Sequence, residues 1–329
     1  MAALSPYLLF CSVASAFFTI LFVGSRLYFR RREKNLGWDD LLLASGLILY
    51  LGFTAACGYG TFAGIGAQIE ITDSGSKLYP EESESLGLTF FIAMILYSSV
   101  LVCIKSAVCI LFLRIAGSIR SYRTCIYGIL GVTVVGFVVT EAGTMGQCRP
   151  IEANWSKSVH LTADCASQDT LVIIASFSTI TTVMTDWLCA LFPVYMLWRT
   201  SMPVRKKLAA GVVLGLGALA SICTLLRIPY IIDYNALLAG HSKNGKPYDL
   251  GGLLLWSVLE CGIGLIATAL PPIWHAYQVR RRARIHQVLP DDEAGSELPA
   301  FNRFPNSADT VHGRKAGSIE TVSSGLGDT

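Results

Sequence analysis

Five ionisable side chains stand deep inside apolar runs of this chain: Lys105, Glu141, Asp186, Arg227 and Glu260. Around Asp186 the sequence reads TTVMTDWLCALFPVY, with apolar or hydroxyl neighbours for several turns on either side. Each charge of this kind costs roughly 2.5–3.5 kcal/mol at the centre of a membrane helix, so such groups face a bundle interior and find partners. Three kinds of chemistry suit them. A buried ion pair fixes helix register. A charge left over at a bundle cavity meets a polar group of a ligand. Proton transfer is the third, with Asp186 and Glu260 as the acid/base couple and hence the catalytic candidates.

The elements that position these residues are apolar windows of about twenty residues, long enough to cross a bilayer. Seven are legible, at 7–29, 40–63, 87–113, 124–145, 171–198, 208–232 and 251–277. Only 15% of the 329 residues are charged and the mean hydropathy is +0.52, against about 25% charged in an ordinary soluble domain. The runs lack period-2 alternation, which excludes a barrel and predicts an all-α, seven-transmembrane helix bundle. The net charge of +3, with no basic stripe among aromatics, excludes a nucleic-acid partner. The expected partners are the lipid bilayer, a small lipophilic ligand and a cytoplasmic signalling protein, and no cofactor is expected.

Depth then suggests who meets whom. At a rise of 1.5 Å per residue, Lys105 and Asp186 both lie roughly 14–18 Å from the cytoplasmic end of their spans. Glu260 is also near mid-membrane, while Glu141 and Arg227 lie near the outer surface. The expected pairs are Lys105 with Asp186 or Glu260, and Arg227 with Glu141.

Orientation follows from Lys and Arg in short loops. The first, third and fifth loops carry eleven cations, Arg30, Arg31, Arg32, Lys34, Arg114, Arg120, Arg123, Arg199, Arg205, Lys206 and Lys207. The alternate loops carry five, and one of them, DSGSKLYPEESES, is acidic. The N-terminus is therefore expected outside and the C-terminus in the cytoplasm. Of ten cysteines only Cys148 and Cys165 fall outside the spans, in one loop on the predicted oxidising side, where a disulfide persists. The single N-x-S/T site, Asn154, shares that loop and is a glycosylation candidate.

The N-terminal MAALSPY has no positive n-region, and the first apolar run is too long for a signal-peptide core, so it reads as a retained span. No internal repeat is visible, which disfavours a transporter. Residues 1–277 are read as the membrane domain, and 278–329 as a basic juxtamembrane segment with a disordered cytoplasmic tail. Arg280, Arg281, Arg282 and Arg284 flank the membrane. Ser307, Ser318, Ser323 and Ser324 are conceivable phosphosites. HExxH, GxSxG, P-loop and paired CxxC patterns are all missing, and no two histidines stand at metal-ligand spacing. Span seven holds no lysine, so retinal at the usual Schiff-base site is disfavoured.

Several stretches together carry a resemblance: LGWDDLLL, LYSSVLVCIKSAVCILFLRI, CRPIEANW with the later Cys165, TDWLCALFPVYMLW, LLRIPY and LLLWSVLECGIGLIATALPPI. In this order the chain resembles, over residues 10–277, the fungal rhodopsin-like integral membrane proteins, which include receptors linked to plant infection. Asp39, Asp40, Lys105, Asp186, Arg227 and Glu260 occupy family-type positions. The resemblance implies a fungal source and a seven-helix fold, and family members also resemble components of secondary-metabolite clusters. The chain lacks a cysteine-rich extracellular module, an Asp-Arg-Tyr after span three and an Asn-Pro-x-x-Tyr in span seven.

The reading is an integral, multi-pass protein of the plasma membrane or an endomembrane that acts as a receptor-like sensor of a small apolar or amphipathic molecule. The alternative is an intramembrane acid/base enzyme, a cyclase or isomerase, or an accessory factor of a biosynthetic cluster. Transport is the third.

Overall fold

The computed structural model of the chain describes residues 4–34, 36–66, 84–116, 120–156, 162–198, 217–231 and 246–288, with Val159 and Gly215. Apolar runs become helices here because only intrasegment bonding satisfies the backbone in hydrocarbon. Helix α1 is Ser5–Arg32, α2 Trp38–Phe62, α3 Glu84–Ala116 and α4 Arg120–Met145. Helix α5 is Gln168–Trp198, α6 Gly217–Ile231 and α7 Lys246–Val288. Six of them are long and apolar enough to cross a membrane, and α6 is a shorter apolar helix among the described residues. Outward-facing Phe10, Val13, Phe17, Ile48, Val135 and Ile173 are exposed, a surface that belongs against lipid rather than water.

Local signals set the helix ends. Pro6 opens α1, and Arg30–Arg32 lie in its last turn, where cations complement the helix dipole. Lys34 follows with φ of +53°, a left-handed residue that stops the helix. Helix α2 starts after Gly37, whose N–H donates to the Asp40 carboxylate at 3.1 Å.

Helix α3 is the common element. One buried cluster joins Leu8 and Val23 of α1, Leu43, Tyr50 and Phe53 of α2, Tyr97 and Val100 of α3, and Leu254 and Val258 of α7. A second joins Cys109 and Phe112 of α3, Ile126 and Ile129 of α4, and Phe192 of α5. Helices α4 and α5 come close because glycine faces a side chain: a Cβ at Gly136 would sit 2.5 Å from Thr181, and one at Gly143 2.8 Å from Ile174.

Between α4 and α5, two short strands, β1 (Cys148–Arg149) and β2 (Asp164–Cys165), pair antiparallel. Cys148 and Cys165 face each other in that register and form a disulfide. A 3-10 helix, Ile151–Asn154, follows β1. Trp155 packs at a tilt against Phe91, ring centroids 5.4 Å apart, and the Ser156 hydroxyl donates to Glu84 at 2.6 Å, so this loop is tied to the start of α3.

The chain divides into two units, Met1–Tyr277 and Gln278–Thr329. Residues 278–288 of the second unit are helical, and residues 289–329 lie outside the described residues. The predicted tail and phosphosites, the acidic loop before Glu84, Arg199 with Arg205–Lys207, and residues 208–214 of the sixth span also fall outside them.

Candidate functional site

Lys105 of α3 is buried against α5. Its ammonium lies 3.0 Å from Asp186 Oδ1 and donates to Thr185 Oγ1 at 2.6 Å and to the Thr182 carbonyl at 3.1 Å. An ammonium has three N–H donors, and all three are engaged here. Of the two partners the sequence left open, Asp186 is the one found. Glu260 sits elsewhere, with its Oε2 accepting from the Tyr97 hydroxyl at 2.9 Å. Tyr97 and Lys105 are separated by about 12 Å along α3, and Glu260 makes no ion pair with the ammonium, although it still feels the charges of Lys105 and Asp186.

The expected Arg227–Glu141 pair does not form. Arg227 Nη1 reaches Ser257 Oγ of α7 at 3.4 Å, and the guanidinium lies over the Tyr97 ring, 4.6 Å from its centroid. Glu141 instead accepts from the Ser98 hydroxyl of α3. Tyr97 and Ser98 are adjacent in sequence and so point about 100° apart around α3. Depth alone had placed Arg227 and Glu141 at one level, but α3 turns them onto different faces.

Three carboxylate oxygens of this group are buried with no hydrogen-bond partner: Glu141 Oε2, Asp186 Oδ2 and Glu260 Oε1. Buried acceptors of this kind are uncommon and mark places where a proton, a water or a ligand donor belongs.

Between α3, α4 and α5 lies a half-open cleft with a cavity volume of about 60 Å³. Lys105, Arg227 and Tyr97 stand on its wall, with Ser98 and a set of threonines. The threonines come from two polar stripes. Helix α5 supplies Ser178, Thr181, Thr182 and Thr185, spaced i, i+3, i+4 and i+7, and α4 supplies Thr133, Thr140 and Thr144 on one face. This is a signal the charge-centred reading passed over. It is legible in the sequence as hydroxyls recurring at helical period inside otherwise apolar runs.

A second charged cluster was also missed in its full extent. Arg26 of α1 is fully buried, bonds Asp39 at 2.5 Å and Asp40 at 2.9 Å, and donates to the Thr268 carbonyl of α7 at 2.6 Å. Arg30 adds longer contacts to both aspartates, and Arg114 of α3 reaches Asp39 Oδ1 at 2.9 Å. The Thr268 carbonyl is free to accept because its helical donor would be residue 272, a proline with no N–H. Gly37 makes room as well, since a Cβ there would collide with the Arg114 guanidinium. Four helices, α1, α2, α3 and α7, are thereby clasped at one end of the bundle.

In the loop, Asn154 is half-buried, and its side-chain amide donates to the Ile151 carbonyl at 2.9 Å.

Residues 25–279 match the family described as the fungal rhodopsin domain. The chain is also similar to "Fugralins biosynthesis cluster protein 2" of Gibberella zeae, 26% identical over 154 residues. That stretch is 44% of this chain and 35% of the relative, so the match spans about a third of the relative's length. No solved structure matches.

Proposed function

Because the chain belongs to the fungal rhodopsin-domain family, and is on that account an integral multi-pass membrane protein, we propose that it is a sensor of a small amphipathic molecule. The observation that carries this is the cleft between α3, α4 and α5, with hydroxyl stripes on two helices and cations on its wall. The threonines alone would suit plain helix packing, but the cations on the wall do not, since ionisable groups in a membrane interior are expensive and mark binding or transport paths. Pockets for small ligands are apolar with a few placed polar groups, which fits this one.

The route from cleft to cytoplasm is α3. It carries Tyr97 and Ser98 at the cleft, Lys105 in the ion pair with Asp186, and Arg114 in the clasp. A ligand that binds better to one rotation or height of α3 shifts the population of that arrangement, and no other property of the ligand can. With the N-terminus outside, Arg114 and the clasp face the cytoplasm, where a signalling partner would read the change.

A second reading has a specific observation behind it. Asp186 Oδ2 and Glu260 Oε1 are buried acceptors without partners, the requirement for an intramembrane acid/base pair, and the similar Gibberella protein is named for a biosynthesis cluster. Metabolite profiling of the source fungus with and without this gene separates the two readings, with neighbouring biosynthetic genes held at constant transcription. An unchanged profile is the result expected of a sensor. One intermediate accumulating while its product disappears would overturn the sensor reading in favour of the enzyme or accessory one.

A further inference from the structure

We propose that the cleft selects a hydroxylated lipophilic acid, with Arg227 as the anchor for its carboxylate; this rests on the cleft being a ligand site. The argument begins with what each buried cation already holds. Lys105 has a carboxylate and two further acceptors. Arg26 has two carboxylates and a carbonyl, and Arg114 has Asp39. Arg227 is only 7% exposed and stands on the cleft wall. Among the described residues no carboxylate oxygen lies within 4.0 Å of it. Its contacts are a stretched bond to the Ser257 hydroxyl and its contact with Tyr97. A guanidinium has five N–H donors in a planar fork that matches a carboxylate. The nearby acid, Glu260, is turned to the Tyr97 hydroxyl. Glu260 answers the charge of Arg227 from a longer range without bonding it, so the fork is desolvated and held by an aromatic face while its N–H donors lack a bidentate carboxylate.

The opposite wall defines the rest of the ligand. The hydroxyls of Thr133, Thr140, Thr144 and Thr185 each donate to the carbonyl four residues back, at 2.8–2.9 Å. With the proton given to its own helix, a threonine hydroxyl has only lone pairs left for a ligand. Thr185 already accepts from Lys105, so the cleft is a donor fork at Arg227 and a row of acceptors along α4 at Thr133, Thr140 and Thr144. An acid group fits the first and ligand hydroxyls fit the second, with a hydrocarbon body between them against Met94, Leu101, Val102 and Phe137.

The test measures binding of radiolabelled ω-hydroxydecanoate, its methyl ester and decylamine to the full chain in lipid nanodiscs. The wild type is compared with Arg227→Gln, Arg227→Lys and Val102→Phe. The acid is expected to bind at least tenfold more tightly than the ester or amine, with that preference gone in Arg227→Gln and reduced in Arg227→Lys, which keeps the charge but not the fork. Should Arg227→Gln fail to give monodisperse protein, Arg227→Lys decides the matter alone. Equal affinity for acid and ester, a preference that survives both Arg227 changes, or no acid binding at millimolar concentration would each overturn the proposal. Equal affinity that Val102→Phe abolishes would leave the cleft standing as a ligand site and refute only the acid preference. Binding that Val102→Phe does not alter would refute the cleft itself.

Discussion

Lys105 with its three filled donors behaves as a lock between α3 and α5, and a lock has a definite mutational signature. Removing one partner of a buried pair strands the other charge, at a cost of roughly 3–5 kcal/mol, whereas removing both is close to neutral. Lys105→Met and Asp186→Asn are each expected to lower the thermal midpoint and the monodisperse yield. The paired change Lys105→Met with Asp186→Leu should recover most of both, and a double variant no better than the singles would show that the residues do not act on each other. At Arg26 no such repair is available, since it faces two aspartates and the carbonyl that Pro272 leaves open. Arg26→Met is expected to lose about 3–5 kcal/mol by the same reasoning, read as loss of folded protein from detergent extracts. A variant as stable as the wild type would mean that Arg30 and Arg114 alone satisfy Asp39 and Asp40.

At the scale of elements, Gly136 and the disulfide set how α4 and α5 approach. Gly136→Ala places a methyl group 2.5 Å from the Thr181 side chain, and the expected response is a shift of α5, an overpacking that costs about 1–3 kcal/mol. Weaker ligand binding should accompany it, because Gly136 and Thr181 both line the cleft; unchanged stability and binding would show that Thr181 simply rotates away. Cys148→Ser opens a link across 17 residues and is expected to cost about 3 kcal/mol, measured as a lower thermal midpoint than that of the oxidised parent. The helices themselves were legible because hydropathy averaged over twenty residues is a strong signal. Predicted spans 40–63 and 124–145 became Trp38–Phe62 and Arg120–Met145. The pairings were less so, since depth along a span gives the height of Arg227 and Glu141 but not their rotation about α3. The clasp was hidden for a related reason: Asp39 and Asp40 sit at a helix start, where acids are ordinary, and their partner Arg26 lies in another helix.

For the whole molecule, helices α1, α2, α3 and α7 form one buried cluster and α3, α4 and α5 another. The cleft and the Lys105–Asp186 pair lie on the α4–α5 side of α3, while Arg114 joins the clasp at its end. This arrangement suits a device in which one helix is held by a ligand on one side and by fixed charges on the other. Its sidedness is open to a direct check: with the N-terminus outside, Asn154 should carry a glycan, seen as a gel shift on glycosidase treatment that Asn154→Gln removes, while a C-terminal tag stays protected in sealed vesicles with the outer face exposed. A digestible tag on the outer face would reverse the orientation. The central claim, that the cleft holds a small amphipathic molecule, is tested most directly by extracting what travels with the protein. Wild type and Val102→Phe, which fills the cleft without changing a charged residue, are purified in parallel from membranes of the source fungus, and their organic extracts are compared by mass spectrometry. A small molecule present in the wild-type extract at near-equal molar amount and depleted in the variant is the predicted result; identical extracts from the two proteins would contradict the account.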